Sequence, residues 1–221
     1  MNIRISETIK QLVPHMQLGI IECEVINSDY NSVLWDNIQN TCHALKNEYK
    51  IENINKIAAI EATRNAYKKL GKDPNRYRPS AEALYRRIVR GLNLYQINTL
   101  VDIINFASIR SGYSINGFDA DKIAGNVELG IGVANEPFEA IGRGHLNIEG
   151  MPVYRDILGA IGTPTSDSER IKIELSTKKL LLIINVYNNE NLLDLSLDQT
   201  QQLLVSFGCA TQFKITKSSS N

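Results

Sequence analysis

Apolar residues in the first half of the chain recur mainly at helical spacing. The clearest stripe advances in steps of three or four residues and consists of Leu34, Ile38, Cys42, Leu45 and Tyr49. This spacing predicts a helix over residues 29–49. Three more helices are predicted, over residues 53–71, from an N-cap at Ser80, and over residues 98–111. The first and third of these are followed or ended by a glycine, which favours the left-handed backbone of a helix C-cap.

Short segments typical of β-strands dominate the second half of the chain. They are rich in Val, Ile and Leu and cover residues 126–133, 137–141, 151–157, 170–175 and 180–187. The last of them is apolar on both faces, which predicts a central strand. Two earlier strands are predicted at residues 3–5 and within residues 16–26. Near the end, Ser196 and Gln199 form a capping box that predicts a helix stopping at Gly208, followed by a strand at residues 212–216.

This order of elements, with helices gathered first and strands behind, indicates an α+β fold. With 221 residues, 43 % hydrophobic and 22 % charged, the chain is long enough to bury a core and typical of a folded protein in composition. No linker-like break and no internal repeat divides it, so residues 1–221 are predicted to form a single domain. The polar tail, residues 217–221, is expected to fray.

The net charge of zero hides an uneven distribution along the chain. Residues 61–90 contain nine basic and three acidic side chains, whereas the remainder has 15 basic and 21 acidic ones. The candidate phosphate contacts in this segment are Lys68, Lys69, Lys72, Arg76, Arg78, Arg86, Arg87 and Arg90. A localised basic face on an acidic body is typical of a protein that binds a polyanion. The alternative is a solvated helix face whose acidic neighbours come from elsewhere in the fold.

Several functional classes find no support in the sequence. The first residues are interrupted by charge and no apolar run reaches membrane-spanning length, which predicts a cytoplasmic protein without a membrane partner. Three widely spaced cysteines fit neither a disulfide framework nor a zinc site, and are expected to be reduced thiols. The segment 130–135 begins like a dinucleotide fingerprint but lacks its third glycine. No metal and no cofactor is therefore expected.

A few polar residues could serve either chemistry or structure. His145 lies in a glycine-rich stretch, residues 142–150, where it could act in acid–base catalysis, but an ordinary histidine on a surface hairpin is the preferred interpretation. Asp102 and Asn105 share one face of an apolar helix. We interpret them as structural residues that fasten this helix to a neighbour, because buried polar groups need hydrogen-bond partners. The lone Trp35 is assigned to the core.

Three segments, in this order, resemble the B3/B4 domain of the bacterial phenylalanyl-tRNA synthetase β subunit. They are residues 80–87 (SAEALYRR), 97–105 (INTLVDIIN) and 117–123 (GFDADKI). The resemblance is strongest over residues 78–125 and continues more loosely to residue 187, with residues 159–162 as the glycine-rich turn of the family. We take residues 72–216 as the core of the match. Residues 1–71, a strand and helix part, are more similar to freestanding members of the family.

The resemblance implies a fold, a partner and a site. The family fold is α+β, with mixed sheets that form a pseudo-barrel flanked by helices. In the synthetase this domain hydrolyses tyrosine wrongly attached to phenylalanine tRNA, in a pocket that uses no metal. The corresponding pocket-lining residues here are Asn116, Phe118, Asp119 and Gly162. The implied partner is tRNA, through its aminoacylated 3′ end, and DNA is not expected.

Two departures from the family pattern bear on chemistry. Asn116 stands where the family has a histidine, and an amide does not titrate near neutral pH as an imidazole does. The apolar run 180–186 stands where the synthetase carries a tyrosine-recognising glutamate. The sequence thus leaves three hypotheses: a tRNA-binding module that hydrolyses a mischarged ester in trans, a non-catalytic RNA- or small-ligand-binding module, and a small-molecule pocket protein unrelated to RNA. No adenylate-forming motif accompanies them, so the chain is not a complete aminoacyl-tRNA ligase.

Overall fold

The computed structural model describes residues 2–188 and 192–220 of the chain. Its α-helices are α1 (Glu7–Leu12), α2 (Ser32–Glu48), α3 (Ala58–Lys69), α4 (Ser80–Val89), α5 (Thr99–Ser111) and α6 (Leu193–Gly208). Short 3-10 helices cover Ile54–Lys56, Ala120–Lys122 and Glu169–Ile171. The strands are β1 (Ile3–Ile5), β2 (Gln17–Glu24), β3 (Ser114–Asp119), β4 (Val127–Ile131), β5 (Glu139–Ala140), β6 (Gly144–His145), β7 (Pro152–Asp156), β8 (Gly159–Thr163), β9 (Ser166–Asp167), β10 (Lys179–Val186) and β11 (Thr211–Ser219).

The strands form two main sheets and a small hairpin. A five-stranded sheet has the order β1-β4-β7-β8-β9 and is mixed, because β1 runs parallel to β4 while the other pairs are antiparallel. A four-stranded antiparallel sheet has the order β11-β2-β10-β3, and β5 pairs with β6. The α+β class is thus confirmed. The pseudo-barrel is not: the strands of the described residues form open sheets with free edges and do not close.

Strand β10 separates two parts of the core. Every residue from Leu180 to Val186 is buried, and the strand lies between β2 and β3, so the predicted central strand is confirmed. Because side chains alternate along a strand, Leu180, Leu182 and Ile184 pack against the helices. Leu181 and Ile183 point the other way, into the core shared with the five-stranded sheet. The two sheets therefore face each other across an apolar layer.

Most predicted helices occur with small shifts at their ends. Helix α2 begins after Asn31, whose side chain accepts a hydrogen bond from the backbone N–H of Leu34. Helix α5 is capped by Asn98 and ends at Gly112, which has a φ of 77°. Two predicted caps are wrong. Pro79, not Ser80, occupies the N-cap of α4, and α6 starts before Ser196, whose hydroxyl donates to a backbone carbonyl of the preceding turn.

Other corrections concern strands. Strands β3 and β8 were not predicted, since their Ser, Asn, Gly and Thr residues break the apolar pattern. The strand predicted at residues 170–175 is wrong, because that segment starts in a 3-10 helix and continues as an irregular connection. Strand β11 extends into the predicted tail: residues 217–219 belong to it, and the backbone N–H of Ser220 donates to the carbonyl of Met16. Asn221 lies outside the described residues.

Candidate functional site

Three of the four predicted pocket residues meet where the two sheets face each other. Asn116 and Phe118 are two positions apart on β3, so both side chains point toward the five-stranded sheet, where they meet Gly162 of β8 and its neighbours. Asp119 is not part of this group. It lies on the opposite face of β3 and accepts a hydrogen bond from the hydroxyl of Thr177 at 2.8 Å.

Both polar atoms of the Asn116 amide form hydrogen bonds within the protein. Its Nδ2 donates to the backbone carbonyl of Thr163 at 2.8 Å and to the carboxylate of Asp167. Its Oδ1 accepts a hydrogen bond from Nδ2 of Asn185 at 2.8 Å. Asn116 is 2 % exposed. Both of its N–H groups and its carbonyl oxygen therefore have internal partners.

A buried chain of hydrogen bonds continues from Asn116 into the apolar layer. The phenol of Tyr154 donates to Oδ1 of Asn185 at 2.6 Å, so the donors point in sequence from Tyr154 through Asn185 and Asn116 to Asp167. Burial raises the pKa of Tyr154 well above its usual range, which keeps the phenol protonated as a donor. Asn185 was not predicted as a site residue, although an amide in an otherwise apolar central strand indicates a buried hydrogen-bond network.

The Phe118 ring and the Asp167 carboxylate both lie close to the backbone of Gly162, which has no side chain. A Cβ at this position would lie 2.8 Å from Cζ of Phe118 and 3.0 Å from Oδ1 of Asp167. The Phe118 ring in turn packs edge-on against Tyr154, with 6.4 Å between ring centroids. A side chain at residue 162 would therefore displace either the ring or the carboxylate.

Asp167 is a titratable group of the site that was not predicted from the sequence. It lies on β9, at the edge of the five-stranded sheet, and Oδ2 accepts a hydrogen bond from the backbone N–H of Gly117 at 3.2 Å. Burial raises the pKa of Asp167 to about 7, against the opposing effect of the hydrogen bonds from Asn116 and Gly117. A carboxyl group that links the two sheets thus changes its charge near neutral pH.

His145 lies in a different place. It is exposed on β6, opposite Glu139 in the β5–β6 hairpin, so the predicted surface hairpin is confirmed. It lines a cleft of about 650 Å³ together with Glu169 and Lys172. Neither Asn116 nor Asp167 lines this cleft, so His145 is not brought together with the candidate site.

The predicted basic segment divides into exposed and engaged side chains. Five of its cations are exposed: Lys68, Lys69, Arg76, Arg78 and Arg90. We call these five residues the cationic surface. Lys72 is instead buried, and its Nζ donates to the backbone carbonyls of Asn147 and Glu149 at 2.8 and 2.7 Å. Lys72 therefore fastens the connection after α3 to the loop before β7.

Arg86 also binds within the protein, through an ion pair with a buried glutamate. Glu82 of α4 is fully buried and pairs with Arg64 of α3 at 2.8 Å and with Arg86 at 2.7 Å. The Arg64 guanidinium further donates to Oδ1 of Asn75 at 2.7 Å, which fixes the connection between the two helices. Arg87 is partly buried, with its guanidinium 3.8 Å from the ring centroid of Tyr95.

Two features of the described residues bear on the expected ligands and location. No three or more of their His, Cys, Asp and Glu side chains are grouped so that they could hold a metal ion. Among the helices of residues 2–188 and 192–220, none combines the length and the apolar character needed to cross a membrane.

Comparison with known proteins bears on the resemblance seen in the sequence. No curated protein matches the chain. A solved N-terminal fragment of the phenylalanyl-tRNA synthetase β-subunit from Pyrococcus horikoshii is similar at 15 % identity, covering 97 % of this chain and 50 % of that one, with a TM-score of 0.48. This chain thus spans half the length of that fragment. The model of the B3/4 domain matches residues 62–200, most of the chain. The chain therefore belongs to the B3/4 domain family.

Proposed function

We propose that this chain is a tRNA-binding module that holds phosphates on its cationic surface. The observation that carries the proposal is that the five cations of this surface are exposed and form no ion pair with another part of the described chain. Free ammonium and guanidinium groups bind phosphate oxygens and release counterions from the nucleic acid. Membership of the B3/4 family supports the choice of tRNA, since the domain that the sequence resembles is part of a tRNA synthetase subunit.

The internal hydrogen bonds of Asn116 favour RNA or ligand binding, rather than ester hydrolysis, as the main role of the chain. A residue that stabilises the oxyanion of an ester under attack needs a free donor. In this fold Asn116 has already committed both N–H groups and its carbonyl oxygen to Thr163, Asp167 and Asn185. This arrangement supports the hypothesis of an RNA- or ligand-binding module that kept the family fold without the family chemistry.

Hydrolysis of a mischarged aminoacyl-tRNA in trans is a second candidate, favoured by Asp167. With a pKa of about 7, its carboxylate is poised to act as a general base at neutral pH. It would take a proton from a water molecule whose oxygen attacks the ester carbonyl, and would return that proton to the leaving oxygen of the 3′-terminal ribose as the ester bond breaks and the free amino acid is released.

The salt dependence of tRNA binding tests the main proposal. Charge reversal in the double variant Lys68→Glu, Lys69→Glu should weaken binding at low salt and flatten the plot of log affinity against log salt. The slope should fall by about 0.7 to 0.9 for each phosphate that the protein no longer neutralises. The matched control reverses Lys214 and Lys217, which are ion-paired with Glu22 and Asp194 and carry the same charge change. Equal slopes in the two double variants would contradict the proposal.

A deacylation screen separates the two candidates. Mischarged tRNAs are incubated with the protein and with Asp167→Asn, and release of the amino acid is followed. Release above the uncatalysed rate that disappears in Asp167→Asn supports hydrolysis with Asp167 as the base. If tRNA binds and no ester is hydrolysed, the binding module stands and the editing candidate is rejected.

A further inference from the structure

Two members of the cationic surface, Arg76 and Arg78, lie on the connection between α3 and α4. We call residues 70–79 the α3–α4 connection. Both arginines are exposed, and neither forms an ion pair with another of the described residues. They stand two positions apart, so their Cα atoms are at most about 7 Å from each other. The two guanidinium groups can therefore contact one ligand together.

The buried guanidinium of Arg64 holds the connection immediately before Arg76. Its Nη2 donates to Oδ1 of Asn75 at 2.7 Å, and its Nη1 donates to the backbone carbonyl of Pro74 at 3.3 Å. Nη1 also pairs with the buried carboxylate of Glu82 on α4 at 2.8 Å. Because breaking a buried ion pair is strongly unfavourable, Arg64 keeps its place. The backbone at residues 74 and 75 is therefore tied to the protein interior.

Further hydrogen bonds hold the connection at its start and at its end. Nζ of Lys72 donates to two backbone carbonyls of the loop before β7. The backbone N–H of Tyr77 donates to the carbonyl of Asp73 at 3.0 Å, and that of Ser80 donates to the carbonyl of Pro164 at 2.8 Å. Both arginines thus project from a backbone that is fixed on either side before a ligand arrives. Less conformational freedom is lost when such a surface binds.

The aromatic ring of the connection is already in contact with cations of the protein. Tyr77 is half-buried, with Nζ of Lys72 at 3.8 Å and the guanidinium carbon of Arg76 at 5.5 Å from its ring centroid. These distances are typical of cation–π contacts. Unpaired bases are usually held by stacking on aromatic rings beside a cationic groove. Residues 70–79 contain no second aromatic side chain, so the connection supplies fixed cations rather than a stacking position.

We propose that the α3–α4 connection binds the phosphate backbone of a base-paired segment of RNA, with Arg76 and Arg78 on the phosphates and Arg64 and Asn75 as the residues that position them. In a base-paired segment the bases stack on one another, and proteins recognise such RNA mainly by its shape and backbone. Fixed cations suit phosphates in a fixed arrangement, because neither side loses much freedom on binding. An unpaired strand would have to be ordered on the same surface without a ring to stack on. This inference rests on the proposed function for the identity of the polymer and deepens it by naming the form of the RNA.

Fluorescence anisotropy with two labelled RNAs tests which form is bound. One is a hairpin with a stem of about 10 base pairs, and the other is an unstructured oligouridine with the same number of phosphates. The hairpin should bind about tenfold more tightly, because only the oligouridine has to be ordered on binding. Equal affinities, or tighter binding of the oligouridine, would overturn the assignment to base-paired RNA.

Replacing the two arginines tests the phosphate contacts. Arg76→Gln combined with Arg78→Gln should weaken hairpin binding and lower the slope of log affinity against log salt by about 1.8, the value for two phosphates of a double helix. The matched control is Lys214→Gln combined with Lys217→Gln, which removes the same charge from two ion-paired lysines. This control should leave the slope unchanged.

Asn75→Ala tests the positioning role, because it removes the acceptor for Arg64 and leaves every cation in place. Asn75 is exposed, so the fold should be retained. Hairpin binding should weaken about fivefold, as expected if about one more residue is ordered on binding, while the salt slope stays unchanged. Hydrogen exchange at the backbone N–H of Tyr77 should be faster than in the original chain. Unchanged affinity in Asn75→Ala would refute the positioning role.

These results separate the inference from the proposed function. RNA binding that depends on Lys68 and Lys69, with equal salt slopes for the arginine variant and its control, would overturn the inference alone. Binding that depends on Arg76 and Arg78 but not on the two lysines would support the inference and remove Lys68 and Lys69 from the phosphate contacts. Absence of binding to tRNA, hairpin and oligouridine would overturn both.

Discussion

The indole N–H of Trp35 donates to Oδ2 of Asp102 at 2.7 Å, deep between α2 and α5. Both residues are buried, with exposures of 7 % and 1 %. Burial raises the pKa of Asp102, against the hydrogen bonds from Ile97 and Trp35 that favour the charged form. The interpretation of Asp102 as a residue that fastens its helix is thus confirmed, and Trp35 belongs to the core as expected.

Trp35→Phe should destabilise the protein by about 1 to 3 kcal/mol, because it leaves a buried carboxylate oxygen without its donor. Urea unfolding measured at neutral pH would give this difference in the free energy of unfolding. Asp36→Ala provides the control on the same helix, since this acid is exposed. A loss no larger than that of the control would mean that the hydrogen bond contributes nothing to stability.

Glu82→Gln should have a larger effect, about 3 to 5 kcal/mol, because the buried guanidinium of Arg64 would lose its counter-charge. Arg86 would lose the same partner. The measurement is again urea unfolding, with the exposed Glu61→Gln of α3 as the control. If the two variants unfold at the same denaturant concentration, the buried ion pairs do not hold α3 and α4 together.

Helical segments were predictable because their apolar stripes are long and repeat at a fixed spacing, as on α2. The central strand β10 was predictable because an eight-residue run that is apolar on both faces is typical of a strand in the middle of a sheet. Strand β3 was missed because Ser114, Asn116 and Gly117 replace the expected apolar residues. Those residues are there for reasons that only the tertiary structure shows: Asn116 joins a hydrogen-bond chain, and a Cβ on Gly117 would lie 2.3 Å from Ile104.

Only part of the candidate site could be predicted from the sequence, because contacts between distant segments decide which side chains meet there. Asn116, Phe118 and Gly162 were found through the family resemblance, and they do lie together. Asp167 lies in the two-residue strand β9, directly after a tight turn, and its burial depends on contacts with β3, about 50 positions earlier in the sequence. In the basic segment, a count of charges could not distinguish exposed Arg78 from Arg86, which is paired with a buried glutamate.

Gly162→Ala should lower the free energy of unfolding by about 1 to 3 kcal/mol, the usual cost of overpacking a core. Residue 162 lies where the two sheets face each other. The added methyl would lie 2.8 Å from the rigid ring of Phe118. Phe118→Leu in the same chain provides a double-mutant cycle, since a smaller side chain makes room for the methyl. The double variant should be more stable than the sum of the two single changes predicts. Strict additivity would show that the ring is not what excludes a side chain at residue 162.

The charge of Asp167 should make stability depend on pH. Its folded-state pKa of about 7 lies above the ordinary value of 3.8, so the folded state holds a proton that the unfolded state releases. The stabilisation from this group is complete below about pH 4 and is lost as the pH rises through 7. Asp167→Asn should therefore gain stability relative to the original chain between pH 4 and 8, by at most about 4 kcal/mol. A constant difference across this range would exclude a raised pKa for Asp167.

Asn116→Ala tests whether the amide controls this carboxyl group. The hydrogen bond from Nδ2 of Asn116 favours the charged form of Asp167, so its removal should raise the pKa of Asp167 further. Carboxyl NMR would follow the titration directly, and the pH dependence of unfolding should shift upward with it. Asn116→Ala should also cost about 1 to 3 kcal/mol, because Asn185 and Thr163 lose a buried partner.

The control for this last prediction is Asn116→Ala combined with Asp167→Asn, in which the shifted titration should vanish while the loss of stability remains. An unchanged or lowered pKa in Asn116→Ala would contradict the assigned hydrogen bond. The result also bears on function, because tRNA binding through the cationic surface should be the same in Asn116→Ala and the original chain at a temperature where both are folded. A loss of tRNA binding there would place Asn116 in contact with the RNA, contrary to the internal role that its three hydrogen bonds indicate.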